Sequence, residues 1–190
     1  IDLLTTNETY FFREPKHFEF LQRLCKNEFL KKRQLRVWSA ASSSGEEAYT
    51  IAMILAEHFS GEDWEVFGSD ISTRMLEKAR YALYPMNAAE KIPSSYLKKY
   101  CLKGKEEYQD YLLLDSKIRR KVHFQKLNLI ESIPDLGKFD LIFLRNVMIY
   151  FDLETKQKLV QKLAEKLNLG GYFLVSHSET LNGLITPLRA

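Results

Sequence analysis

Two cysteines in 190 residues cannot build a disulfide framework, and Cys25 and Cys101 stand in unrelated contexts with no CxxC partner. Four histidines, His17, His58, His123 and His177, are scattered without an HExxH pair, so no metal site is indicated. Charge of one sign is also lacking. Lysines and arginines number 28 against 25 acids, a net charge of +3, and no long basic stripe with interleaved aromatics occurs. That argues against a nucleic-acid partner. The short runs Lys31-Lys32-Arg33 and Arg119-Arg120-Lys121 read as solvated faces. No apolar stretch reaches the ~18 residues of a membrane span. The opening Ile1-Asp2-Leu3-Leu4 has no signal-peptide pattern. Direct membrane insertion is therefore not expected, and a cytoplasmic, reducing compartment is. The chain starts and stops abruptly, as a domain cropped from a longer protein would.

What is present suits one α/β domain with a single sizeable core: 45% hydrophobic residues, 13% aromatic and 28% charged. Strand-like and helix-like periodicity alternate. Residues 35–40 read as a buried strand. After Gly45 a helix follows, with Ala48, Ile51, Ala52, Leu55 and Phe59 on one face. Residues 64–69 form a second strand. Ser72 or Thr73 then caps a helix burying Leu76, Ala79 and Leu83. Residues 122–127 and 139–144 are further strands, the latter a continuous apolar run of the kind found inside parallel sheets. Asp152 caps a helix with Leu159, Val160, Leu163 and Leu167 inward, ending near Gly170-Gly171 before a strand at 172–175. This order predicts βαβ units and a mostly parallel sheet with helices on both faces. Residues 1–34 form a lead-in that is helical over 15–30. Residues 94–121 are too long for a plain connection and read as an inserted, β-rich subdomain.

In such a sheet, ligands bind beyond the carboxyl ends of the strands. Polar residues fall at four of those ends: Ser42-Ser43-Ser44-Gly45-Glu46-Glu47, Asp70, Asn128, and Arg145-Asn146. Asp70 lies 25 residues beyond Gly45, where a nucleotide-binding unit places an acid for ribose hydroxyls. The first turn, however, has one glycine and no GxGxxG, and the P-loop pattern is absent. A pyrophosphate needs several closely approaching N–H groups, which this turn is poorly built to supply. A nucleoside ligand without phosphates fits better. S-adenosylmethionine is the common one, and its positive charges suit the pair Glu46-Glu47. The residues thus point to a nucleoside-binding α/β domain. On their own they leave open whether it transfers methyl groups, to which acceptor, or only binds and regulates.

Five motifs sharpen this. Thr5-Thr6-Asn7-Glu8-Thr9-Tyr10-Phe11-Phe12-Arg13-Glu14 comes first, then Val37-Trp38-Ser39-Ala40-Ala41-Ser42-Ser43-Ser44-Gly45-Glu46-Glu47 and Ser69-Asp70-Ile71. Arg145-Asn146-Val147-Met148-Ile149-Tyr150-Phe151 and His177-Ser178-Glu179 complete the set. Together they resemble the catalytic domain of CheR-type chemoreceptor methyltransferases, from about residue 3 to residue 184. The resemblance implies a Rossmann-like, class I methyltransferase fold, S-adenosylmethionine as cofactor, and methylation of glutamate side chains on the cytoplasmic domains of bacterial chemoreceptors. It further implies that Asn7, Thr9 and Arg13 close over the cofactor. Glu47 would meet the methionine amino group and Asp70 the ribose. Asn128 and Leu129 would border the adenine, with Arg145 and Asn146 on the pocket floor. Tyr150 would sit near the methyl-transfer point, with Arg13 aligning a carboxylate. Phe11 and Phe12 read as packing, and Glu46 as a contributor to the site or to the helix dipole. In place of the family's N-terminal helical domain the sequence shows only the lead-in, and the last strands of the sheet are not expected. Gly104-Lys105-Glu106-Glu107-Tyr108 lacks the glycine-rich loop of members that dock a receptor pentapeptide, which argues against such docking.

Overall fold

The run at 139–144, apolar but for Asp140, is buried at all six residues, and its alternating apolar side chains serve two cores. Leu141 and Phe143 pack into one cluster, and Ile142 and Leu144 into another. The computed structural model describes residues 8–27, 34–61 and 63–189. In chain order it contains α1 (Pro15–Leu24), β1 (Leu35–Ser39), α2 (Glu46–His58), β2 (Trp64–Asp70), α3 (Thr73–Tyr81) and β3 (Leu83–Pro85). Next come α4 (Ser94–Tyr100), β4 (Cys101–Lys103), β5 (Tyr111–Leu114), α5 (Ser116–Arg119) and β6 (Val122–Lys126). The chain then runs through β7 (Phe139–Leu144), α6 (Leu153–Ala164) and β8 (Leu167–Val175).

The central sheet has the order β6-β2-β1-β7-β8, and every pairing in it is parallel. Strand order reverses between β1 and β7, so the crevice of this doubly wound sheet opens at their carboxyl ends. A second, antiparallel sheet of order β3-β5-β4 lies between α3 and β6 in the chain. No helix among the described residues is long and apolar enough to cross a membrane. Cys25 and Cys101 are free thiols, and burial pushes each up to about 12, so neither is reactive near neutral pH.

The structure departs from periodicity at four places. The first helix ends at Leu24 rather than near residue 30, because Lys26 and Asn27 bond the carbonyls of Arg23 and Leu24 in a tightened last turn; residues 28–33 lie outside the described set. Leu83 leaves the helix it was expected to extend. Ala82, at φ 53, ends α3, and Leu83 begins the small sheet, well ahead of residue 94. Helix α6 stops at Ala164, so Leu167 belongs to β8. Gly170-Gly171 do not end a helix; they accommodate an irregularity in the β7–β8 register. A Cβ at Gly171 would lie 2.9 Å from the Asp140 carbonyl. Finally, every residue of α2 from Ala48 to Leu55 is buried, not one face only. Helix α2 packs on β1, β2 and β6 of the sheet and also against α1 and α5.

Gly45 joins the β1 turn to α2 at φ +97, a conformation that side chains disfavour. A Cβ there would also sit 2.9 Å from the Ala79 Cβ of α3. Gly45→Ala is therefore expected to destabilise the fold by about 3 kcal/mol, combining backbone strain with overpacking. Urea denaturation checks this as a lowered midpoint at unchanged slope.

Candidate functional site

Two neighbouring turns meet at the carboxyl ends of β1 and β2. The Trp38 indole N–H donates to Ser69 Oγ at 2.9 Å, and that hydroxyl donates to the Ala40 carbonyl at 2.9 Å. The Ser42 N–H donates to the Ser69 carbonyl at 2.8 Å. Across this brace the Asp70 carboxylate accepts from the Ser43 N–H at 2.8 Å and the Ser72 N–H at 2.9 Å. Asp70 is thus held at both oxygens between the two turns.

The lead-in reaches the same place by burying its aromatics. Phe11 is fully buried, with its ring edge-on to Tyr84 at 4.9 Å. Phe12 packs on Phe18 and Tyr96, and its N–H donates to Thr50 Oγ1 at 3.1 Å. Both residues pack, as expected. Phe12 and Glu14 adopt φ 56 and 58, so the chain kinks on either side of Arg13. The Arg13 guanidinium donates to the Glu8 carbonyl and lies 5.7 Å from the Tyr10 ring.

Beneath it lies Arg145, whose side chain is 2% exposed. Its guanidinium donates to Glu47 at 2.7 Å and to the Arg13 carbonyl at 2.5 Å, and stands 3.2 Å from Glu14. The other Glu47 oxygen accepts from the Ser39 hydroxyl at 2.7 Å. A carboxylate offers about four lone-pair positions, so Glu47 keeps capacity for a further donor. Burial alone would raise the Glu14 carboxyl, but the Arg145 charge and hydrogen bond, with the His177 N–H and Asn146, bring it below the ordinary 4.5.

After β7 the backbone turns at Asn146, φ 59, and three successive N–H groups converge on one carboxylate. Glu179 accepts from Asn146 at 2.9 Å, Val147 at 2.9 Å and Met148 at 2.7 Å. It also accepts from the Ser176 N–H at 3.1 Å and the Ser176 hydroxyl at 2.7 Å.

These segments enclose a cavity of about 390 Å³, within the range of small-molecule sites, roughly 300–1,000 Å³. Thr9, Arg13, Glu47, Asp70, Asn128, Leu129, Arg145, Asn146 and Tyr150 all line it. Asn7 lies outside the described residues. Leu127, Leu129 and Ile130 contribute apolar surface to the lining, and Tyr150, also in the lining, is partly exposed. The Asn128 side chain also shapes its own turn, accepting from the Ile130 N–H at 3.1 Å and donating to Glu131 at 2.8 Å. Ser43 lines the cavity and has a buried hydroxyl oxygen without a partner, one hydrogen-bonding group left for a ligand. Glu46 does not line it. It is 9% exposed, takes both hydrogen bonds from the Ser44 hydroxyl, and burial raises its pKa. Glu14 and Glu179 escaped the sequence reading as site residues, although each closes a motif that had been recognised.

Residues 7–189 match the family described as "CheR methyltransferase, SAM binding domain". The chain belongs to the CheR family. The chain is accordingly an S-adenosylmethionine-binding methyltransferase domain. Among curated relatives, the chemotaxis protein methyltransferase of Borreliella burgdorferi is 42% identical over 96% of this chain and 68% of its own length. Chemotaxis protein methyltransferase 2 of Pseudomonas aeruginosa is 38% identical over 94% of this chain and 65% of its own. The CheR domain described here thus spans about two thirds of the length of these relatives. A solved TehB-like SAM-dependent methyltransferase from Corynebacterium glutamicum is 12% identical, covering 82% of this chain and 60% of its own, with a TM-score of 0.48.

Contrary to the scattered reading of the histidines, the CheR fold gathers His17, His177 and Glu14, with ligand atoms within 4.8 Å. The Arg145 guanidinium already neutralises that carboxylate, which disfavours a divalent cation there. His17 Nε2 lies 2.7 Å from the Val175 carbonyl. Burial and then the Arg145 charge lower the His17 pKa from the ordinary 6.5, against the Val175 and Glu14 contributions. Folded His17 and Glu14 therefore bind fewer protons than when unfolded, so stability rises with pH through both ranges. It should be full above about 6.5, fall as pH drops through the folded His17 value, and fall again below about 4.5 as Glu14 protonates. Urea midpoints from pH 8 to 3 test this, with His17→Asn expected to abolish the upper step.

Proposed function

We propose that this domain transfers the methyl group of S-adenosylmethionine to glutamate side chains on the cytoplasmic domains of chemoreceptors, producing methyl esters in the cytoplasm. The convergence on one cavity of residues from five separated motifs carries the reading, and the names of the curated relatives support the substrate. The cofactor supplies an electrophilic methyl group on its sulfonium. Because a glutamate carboxylate has an ordinary pKa of about 4.3, the substrate is already a nucleophile at neutral pH, and the chain need supply no general base. Its residues instead bind, align and exclude water. Asp70 takes the ribose hydroxyls, and Glu47 takes the amino group with its remaining lone pairs. Leu127, Leu129 and Ile130, with Asn128, receive the adenine. Arg145 and Asn146 form the floor. Arg13, kinked into the cavity by its neighbours, grips a carboxylate in two-pronged fashion, and the lead-in with Thr9 closes the site. Tyr150 borders the acceptor.

Isothermal titration with S-adenosylhomocysteine should give micromolar binding, weakened about 10- to 100-fold by Asp70→Ala through the loss of charge-assisted hydrogen bonds. In an assay of base-labile methyl esters on receptor cytoplasmic fragments, Arg13→Ala should lose about 100-fold, and Arg13→Lys should not restore it. Binding without any ester on receptor fragments would transfer the activity to another acceptor or to a regulatory role. Unchanged turnover would remove Arg13 from the site.

A further inference from the structure

We propose that Glu179 is a positioning residue for methyl transfer, its carboxylate holding the turn that carries Asn146 and Tyr150 into place. The proposal rests on the methyltransferase reading above. At the end of β7 the positive φ of Asn146 takes the chain out of the sheet, so the N–H groups of Asn146, Val147 and Met148 have no neighbouring strand to bond. One carboxylate answers all three. Val147 and Met148 donate to Oε1; Asn146, with both the N–H and hydroxyl of Ser176, donates to Oε2. All five partners are donors, and an ionised carboxylate is the one common side chain that accepts at both ends. Glu179 also ties together the carboxyl ends of two adjacent strands, since Ser176 directly follows β8.

What hangs from this clamp is specific. Asn146 is clamped directly, and the Tyr150 N–H bonds the Val147 carbonyl at 3.3 Å in the next turn. Of the groups assigned to the cofactor pocket only Asn146 hangs from the clamp; Asp70 is fixed by the Ser43 and Ser72 N–H groups, and Glu47 by Ser39 and Arg145. Loosening Glu179 should therefore disturb the acceptor side of the cavity and spare most of the cofactor side.

Glu179→Gln keeps the shape but replaces one acceptor oxygen with an NH₂ group facing N–H donors. Three readouts on the full chain decide the case: turnover on receptor fragments at saturating cofactor, affinity for S-adenosylhomocysteine, and amide hydrogen exchange. The expected result is a turnover at least tenfold lower, an affinity within threefold of wild type, and exchange at residues 146–148 at least tenfold faster while β1 and β2 keep their rates. Ser176→Ala, which removes one contact of five without touching the charge, should lower turnover in the same sense by less than fivefold. Turnover within twofold of wild type in Glu179→Gln overturns the proposal. So does exchange that quickens evenly across the sheet with affinity lost in parallel, which would make Glu179 a general prop. A wild-type chain that binds no S-adenosylhomocysteine overturns the methyltransferase reading instead, and the exchange at 146–148 then decides the clamp alone.

Discussion

The guanidinium of Arg145 is the constraint around which the site is arranged. An arginine that is 2% exposed must be matched by acceptors, because an unpaired buried charge costs several kcal/mol. Its three partners come from two separate stretches: Glu47 at the start of α2, and, in the lead-in, the adjacent Arg13 carbonyl and Glu14 carboxylate at the head of α1. The face of the guanidinium also stands 5.4 Å from the Phe18 ring of α1. One side chain thus fixes how the lead-in lies against the switch point of the sheet. The planar, five-donor fork of arginine can serve three acceptors at once, where an ammonium acts as a point charge.

Around that centre, strain gathers where ligand would sit. Phe12, Glu14, Ser43 and Asn146 all hold left-handed backbone without being glycine, and each either lines the cavity or adjoins a residue that does. Such conformations persist only when the surroundings over-determine them. Here the surroundings are visible: Thr50 and the aromatic packing hold Phe12, Asp70 holds Ser43, and Glu179 holds Asn146. Rigid turns on a parallel sheet give a cavity whose polar groups are already oriented, the condition for catalysis by alignment.

Much of this was legible in the sequence, for reasons that differ by residue. The strand at 139–144 announced itself because burial on both faces demands an apolar run, interrupted here only by Asp140. Asp152, and Ser72 as one of two candidates with Thr73, were readable as caps because a side-chain acceptor ahead of a helical period has few other uses; Asp152 and Ser72 each accept the expected N–H. Asp70 and Arg145-Asn146 were readable as site residues because strand ends are where such sheets bind. Glu14 and Glu179 were not, since their importance lies in partners 131 and 33 residues away, which no local pattern encodes. The end of α6 was misplaced for a related reason. A glycine pair marks a helix stop and a strand irregularity equally well, and only the pairing of β8 with β7 decides between them. Helix α2 misled because its further packing, against α1 and α5, is tertiary.

The register of the central sheet also sets the order in which the domain can assemble. Val37 of β1 pairs with Val66 of β2, some thirty residues on, but with Leu141 of β7 only after about a hundred. Pairings of that separation must close a long loop before any contact rewards them, so the β1–β2–β6 side can form early and the β7–β8 side joins late. The cavity straddles this seam, with Asp70 and Asn128 on one bank and Arg145, Asn146 and Tyr150 on the other. A molecule that bridges both banks binds only the joined form. By mass action it therefore favours folding as well as occupying the site.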